Sequence, residues 1–560
     1  VDDTTTWADM ARHVAGTAPG PGARIADKLN QRLTGLPRSR NSYTARFGLR
    51  VPTRDGFELV TDHYIPRRQT AAPTILIRSP YGRAFPINLT ARAFAAQGYH
   101  VLLQSCRGTF GSTGGLQPMV TEADDGQDAV EWLRTRQWFD GRLATYGGSY
   151  LGFAQWALLQ DPPEEVKASV VIVGPHDMAK AMYGTGAFRL SDFLGWTDAA
   201  ASQEQVQGPA KFRHMMQAER RLHDGMHSLP LADAAEPALE GRAPWYREWL
   251  AHSTPTDEYW DDYRAGEALQ KTTVPTLLVS GWQDGFLEQT MEQYRVLRDR
   301  GVEVGLTLGP WNHFETVGKA SGVITRESLA WLDQHLTEAG AERPSPVRVF
   351  VSGPDEWRDY PEWPPFTEDR AYQLDDGARL GEAAGVGQST FRYDPADPTP
   401  SVGGRLLTPR VKGVQDNQKL EARSDVLTFS SEPLAKDTEL LGAPVAELAV
   451  AVDNAHADLF VRVCDVDARG RSHNVTDTFL RLDPSVPAGS VQHLSLTMAP
   501  TAHRFAAGHR VRLQVAGGAH PRYARNLGTA EPPDTATTMA PTVFTIEHRD
   551  SRLVLPVGPQ

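Results

Sequence analysis

The spacing of apolar and polar positions changes character several times along the chain. From Tyr43 the segment TARFGLRVPTRDGFELVTDHYIP forms two extended runs that meet at Arg54-Asp55-Gly56. Asp-Gly between such runs predicts a β-hairpin. Short apolar runs then trade with helical periodicity: TILIRSP (74–80), a helix through Ala91–Gln97, HVLLQSC (100–106), a helix over Asp124–Arg134, RLATYGGS (142–149), a helix after Tyr150, and VKASVVIVG (166–174). This alternation predicts a mostly parallel sheet flanked by helices. It lapses over 175–270, where helical and loop composition takes over. It resumes with PTLLVSGW (275–282), a helix over Glu288–Arg300, VGLTLGPW (304–311) and a helix over Glu327–Leu336. Residues 175–270 therefore read as a helical cap inserted between two strands.

Both ends of the chain have a different texture. Residues 1–42 suggest a helix over Trp7–Val14, a Pro/Gly break and a second helix near Ile25–Leu33, together an N-terminal arm. Beyond Arg343 come short β-rich runs separated by Pro, Gly and Asp, among them PVRVFVSG, APVAELAVAVD, DLFVRVCDVD and HRVRLQVAG. Regular short strands with turn signals predict a β-sandwich or jelly roll. The expected fold class is α/β: a domain with a mostly parallel sheet (43–174 and 271–342) with the cap (175–270) inserted, preceded by the arm (1–42) and followed by the jelly roll (343–560).

Composition narrows the function. A chain of 560 residues exceeds the roughly 100–200 residues of one typical domain, which agrees with several units. No run of about 18 apolar residues offers a membrane span. The net charge of −12, with no basic stripe, argues against nucleic acid as a partner. Two distant cysteines, Cys106 and Cys464, suggest neither a disulfide framework nor a zinc site, so a cytoplasmic location is expected. The first residues lack a basic region followed by an apolar core, so no secretory leader is read there. CRGTFGSTGG has no Lys-Ser/Thr of a phosphate-binding loop, and His176, His214, His223 and His227 lack zinc-helix spacing. No cofactor and no metal are expected.

The chemistry centres on Tyr146-Gly147-Gly148-Ser149-Tyr150-Leu151-Gly152, between a predicted strand and a predicted helix. A serine on so sharp a turn needs small neighbours, which Gly147 and Gly152 supply, and the turn aims the Tyr150 amide at a developing oxyanion. By itself the motif also fits a glycine-rich turn with a capping serine. The chain order decides: Asp284 follows TLLVSGW, and His313 follows LTLGPW. Ser after one strand, Asp after a later one and His after the next match the order of an α/β-hydrolase, with Ser149 as nucleophile, His313 as base and Asp284 orienting the histidine. Tyr81, just past the strand of ILIRSPYGR, is a candidate for the second oxyanion donor or an aromatic packed under the cap.

Together the motifs RSPYGR, QSCRGTFGSTGG, DGQDAVEWL, GGSYLG, GWQDGF, GPWNH, AGHRVRLQV and HPRYARN resemble the CocE/NonD hydrolase family, from about Tyr43 to Val557. That family includes cocaine esterases, X-Pro dipeptidyl-peptidases, glutaryl-7-aminocephalosporanic acid acylases and α-amino-acid ester hydrolases. The resemblance implies the same three catalytic residues, an oxyanion hole of the Tyr81 hydroxyl and the Tyr150 amide, and an acyl pocket lined by Trp196 and Phe286. It implies a small ester, amide or short peptide as substrate, and leaves a homodimer open. Asp177, Asp192 and TDEYWDD (256–262) are acids that a substrate ammonium would need, though a solvated acidic face explains them as well. Two other functions stay in view: acyl transfer or another non-hydrolytic transformation in secondary metabolism, and a catalytically silent binding protein.

Overall fold

The computed structural model describes residues 16–67, 71–206, 209–337, 340–407 and 413–559. The helix expected over Trp7–Val14 lies outside them. Strands β1 (Tyr43–Pro52) and β2 (Glu58–Pro66) form the expected antiparallel hairpin, with Gly56 at φ 86° in the turn. Strands β3 (Ala72–Ser79), β4 (His100–Ser105), β5 (Phe139–Gly148), β6 (Val166–Ile172), β7 (Thr276–Gln283) and β8 (Val304–Asn312) follow. They lie in the order β1-β2-β4-β3-β5-β6-β7-β8, and every pair from β4 to β8 is parallel. Strands β3, β4 and β7 are buried at every residue, because helices cover both faces.

The sheet goes on past β8, and here the sequence reading needs correction. PVRVFVSG, assigned above to the jelly roll, supplies β9 (Val347–Val351), which pairs parallel with β8; β10 (Glu356–Tyr360) closes the edge antiparallel to it. Helix Ser321–Leu336 links β8 to β9 as one more crossover unit. Val347, Val349 and Val351 are fully buried. A boundary at 343 therefore cuts through this sheet, and the β-rich domain takes over with strand Glu368–Asp375.

Between β6 and β7 stand short helices, among them Met178–Tyr183, Leu190–Ser202, Pro209–Arg221 and Pro244–Ala251, which make up the cap. In the C-terminal domain the 16-residue strand Thr542–Val557 is the organising element, pairing with Glu368–Asp375, Gln388–Tyr393, Thr438–Gly442 and Val445–Val452. Its apolar side chains form a core separate from that of the hydrolase domain. Cys106 and Cys464 are both buried and free.

One buried carboxylate ties the domains together. Asp477 is bridged by Arg462 at 2.8 Å, Arg522 at 3.0 Å and Arg405 at 3.3 Å, and Arg405 also reaches Glu288 of the hydrolase domain at 2.7 Å. Burial alone would push the Asp477 carboxyl up, but the three guanidiniums outweigh it and hold it well below the usual range. Among the described residues, no helix is long and apolar enough to cross a membrane.

The N-terminal helix, Pro21–Thr34, sits the opposite way round from an ordinary amphipathic helix. Asp27 pairs with Arg92 at 2.7 Å and accepts from the Tyr43 hydroxyl at 2.8 Å, while Ile25, Leu29 and Leu33 point outward. Leu33 is 77 % exposed.

Candidate active site

Ser149 stands between β5 and helix Tyr150–Leu158 with φ 60° and ψ −122°. A non-glycine residue at positive φ costs on the order of 1–3 kcal/mol, so the surroundings must enforce it. The helix behind it is buried at all nine positions, YLGFAQWAL, as a helix that is apolar all round must be. Its one long polar side chain pins the turn: Gln155 donates to the Gly147 carbonyl at 3.1 Å and accepts from Thr145 at 2.8 Å. Gly152 is needed for contact, since a Cβ there would lie 2.6 Å from the Gly174 Cα.

The structure brings the three expected residues into one chain of hydrogen bonds. His313 Nε2 is 3.0 Å from Ser149 Oγ, and His313 Nδ1 is 2.7 Å from Asp284 Oδ1. The Asp284 side chain is fully buried, and its other oxygen accepts from the Phe286 amide at 3.0 Å and the Ser280 hydroxyl at 3.2 Å. A carboxylate only accepts, so it fixes the proton on Nδ1 and turns the Nε2 lone pair toward the serine.

Tyr81 and the Tyr150 amide lie beside Ser149. The Tyr150 N–H is the first of its helix and has no acceptor within it. Tyr81 lines the same cavity as Ser149, and its hydroxyl accepts a hydrogen bond from Trp196 Nε1 at 3.0 Å. Burial pushes the Tyr81 phenol up to about 12, against the smaller lowering by Trp196 and Ser149, so it keeps its proton at neutral pH. With one lone pair taken by the indole, that proton is free to point at the serine. The sequence placed Trp196 in the acyl pocket and did not foresee this hydrogen bond, because the two residues are 115 positions apart. The Tyr150 ring is fixed in turn: its hydroxyl donates to Glu122 at 2.8 Å and accepts from the Met119 amide at 2.9 Å.

A cavity of about 900 Å³ opens above Ser149, and Trp196 and Phe286 both line it. Leu406 and Leu407 reach it from the C-terminal domain. Among the described residues Asp198 is the only carboxylate on its wall, and it is already bridged by Arg221, with His214 at 3.4 Å. None of the acids singled out in the sequence lines the cavity. Asp177 caps helix Met178–Tyr183, Asp257 caps the turn Glu258–Tyr263, and Asp192 pairs with Arg189 and accepts from the Leu407 amide at 2.7 Å.

An α/β sheet carrying serine, acid and histidine in this chain order, joined by these contacts, is the architecture of a serine hydrolase. Residues 55–315 match the model of the X-Pro dipeptidyl-peptidase (S15) family, and 339–554 match that of the X-Pro dipeptidyl-peptidase C-terminal non-catalytic domain. The chain is 30% identical to a cocaine esterase of Rhodococcus sp. (strain MB1 Bresler), covering 87% of this chain and 93% of that one. It is 24% identical to a putative serine esterase of Mycobacterium bovis, over 93% of this chain and 97% of the relative. Two solved structures, an aminopeptidase from a marine-sediment Thaumarchaeota archaeon and an α-amino acid ester hydrolase, each share its fold with a TM-score of 0.78. Each is 23% identical over 93% of this chain and 98% of theirs. The chain belongs to the CocE/NonD family of serine hydrolases. It is an enzyme that hydrolyses ester or amide acyl bonds.

Proposed function

We propose that this enzyme is an esterase for neutral, largely apolar carboxylic esters, acting through an acyl-enzyme on Ser149. The Ser149 oxygen attacks the ester carbonyl as its proton passes to His313 Nε2, and Asp284 stabilises the imidazolium. The tetrahedral oxyanion is held by the Tyr81 hydroxyl and the Tyr150 amide. As the intermediate collapses, the bond to the alcohol breaks and the alkoxide oxygen takes the proton from His313. Water, deprotonated by the same histidine, then attacks the acyl carbon, and as the acid departs His313 returns the proton to the Ser149 oxygen.

The observation that carries the substrate class is the pocket wall. An ammonium group bound there would need a free carboxylate, because an unpaired charge in an apolar cavity costs several kcal/mol. Asp198 is spent on Arg221 and His214, whereas Trp196, Phe286, Phe193 and Met226 offer apolar surface. A panel of neutral p-nitrophenyl esters against aminoacyl and X-Pro anilides tests this. Neutral esters should exceed the cationic substrates at least 100-fold in kcat/KM; comparable or better turnover of aminoacyl or X-Pro substrates overturns the assignment.

Tyr81→Phe removes one oxyanion donor and leaves the ring in place. Steady-state kinetics on a good ester should show kcat lower by roughly 10²- to 10³-fold, with KM changed far less. A variant of near wild-type kcat would take Tyr81 out of the mechanism.

A further inference from the structure

The cavity above Ser149 has two sides built from different parts of the chain. On one side are the cap and the C-terminal domain, with Phe193, Trp196 and Leu407; on the other, three helices contribute residues spaced three or four apart. Helix Pro21–Thr34 presents Asn30 and Thr34, helix Ile87–Gln97 presents Thr90 and Ala93, and helix Ser321–Leu336 presents Ser321, Ile324 and Thr325. Spacings of three and four put each set on a single helix face, so three faces converge on one space.

That space is less polar than its residue names suggest. The Thr34 hydroxyl donates to the Asn30 carbonyl at 2.6 Å, and the Thr325 hydroxyl donates to the Ser321 carbonyl at 2.7 Å. Both hydroxyl protons are used within their own helices. The N-terminal helix is also a fixed wall. The Asp27–Arg92 pair joins it to one neighbour, and the Arg326 guanidinium, donating to the Thr34 carbonyl, joins it to the other.

The location assigns the occupant. Phe314, Thr316 and Val317, immediately after His313, line the same cavity, the turn Phe314–Thr316 packs against helix Ser321–Leu336, and the Thr316 hydroxyl donates to the His313 carbonyl at 2.6 Å. The imidazole that receives the serine proton must hand it to the departing oxygen, so the leaving alcohol lies on the histidine side. We infer that the part of the cavity walled by the three helices binds the alcohol portion of the ester, and that the N-terminal helix makes the enzyme selective for esters of long, apolar alcohols. This rests on the acyl-enzyme reading above and adds which half of the substrate is selected and by what.

The test holds the acyl group constant and varies the alcohol, comparing ethyl with octyl esters of one small acid for wild type, Asn30→Trp and Ala93→Trp. These two substitutions place an indole in that part of the cavity from different helices. In the wild type, kcat/KM should be at least tenfold higher for the octyl ester, and each variant should lower that octyl-to-ethyl ratio at least tenfold. Intact-mass analysis after fluorophosphonate treatment accompanies each assay and reports whether Ser149 is assembled and reactive. A wild-type ratio near one, or a ratio preserved in both variants that take the label, overturns the inference and leaves the acyl-enzyme reading standing. A wild type that takes no label at Ser149 overturns both.

Discussion

Replacing Ser149 with alanine should lower kcat roughly 10⁴- to 10⁶-fold and abolish stoichiometric labelling by a fluorophosphonate. The geometry makes the effect large. His313 has its Nδ1 committed to Asp284 and its Nε2 directed at the Ser149 oxygen, so no other hydroxyl can take over the attack without moving the imidazole. The Tyr150 amide remains in the variant, so weak residual turnover with attack by water is compatible with the mechanism. Intact mass separates the outcomes: a variant that still takes one equivalent of label places the nucleophile elsewhere.

The second large effect concerns stability. Asp477→Asn leaves Arg405, Arg462 and Arg522 around a neutral amide, each of these guanidiniums nearly excluded from water. Breaking a buried ion pair in this way costs about 3–5 kcal/mol, and three partners on one carboxylate place Asp477 at the upper end. Urea unfolding followed by tryptophan fluorescence should show the loss as a lower midpoint; a midpoint within the wild-type error would mean that the arginines are satisfied without it. The same pair of states sets a pH dependence. Asp477 titrates lower in the folded chain than in the unfolded one, so its stabilisation is fully present above the unfolded aspartate pKa of about 3.9. It is lost as the pH falls from there through the folded value. Acid unfolding of the wild type should therefore be steeper below about pH 4 than that of Asp477→Asn.

Much of the hydrolase sheet was legible because each β-strand and helix carries its own period, and because the chain order of Ser149, Asp284 and His313 follows the sheet. The misplaced run PVRVFVSG shows the limit of that signal. A five-residue strand after a Pro-containing linker looks the same whether it extends a parallel sheet or opens a sandwich, and only its partner, β8, distinguishes them. The N-terminal helix was visible by its pattern, yet the pattern would have buried Ile25, Leu29 and Leu33. Specific bonds to the Asp27 carboxylate and the Thr34 carbonyl turn that face outward instead. Relations set only by tertiary contact left no trace in the sequence. The Asp477 cluster draws on residues from 405 to 522, and the Trp196 bond to Tyr81 crosses from the cap to the sheet.

That last bond bears on how such an enzyme acquires a new substrate. Insertions over a catalytic sheet are often treated as interchangeable modules, free to vary while the chemistry beneath stays constant. Here helix Leu190–Ser202 supplies the indole that orients the Tyr81 hydroxyl. Under the proposed mechanism, exchanging this segment for a relative's alters turnover and selectivity together unless a donor is kept at position 196. Evolution and engineering of this scaffold thus face a coupled problem, in which the segment that shapes the pocket also tunes the rate.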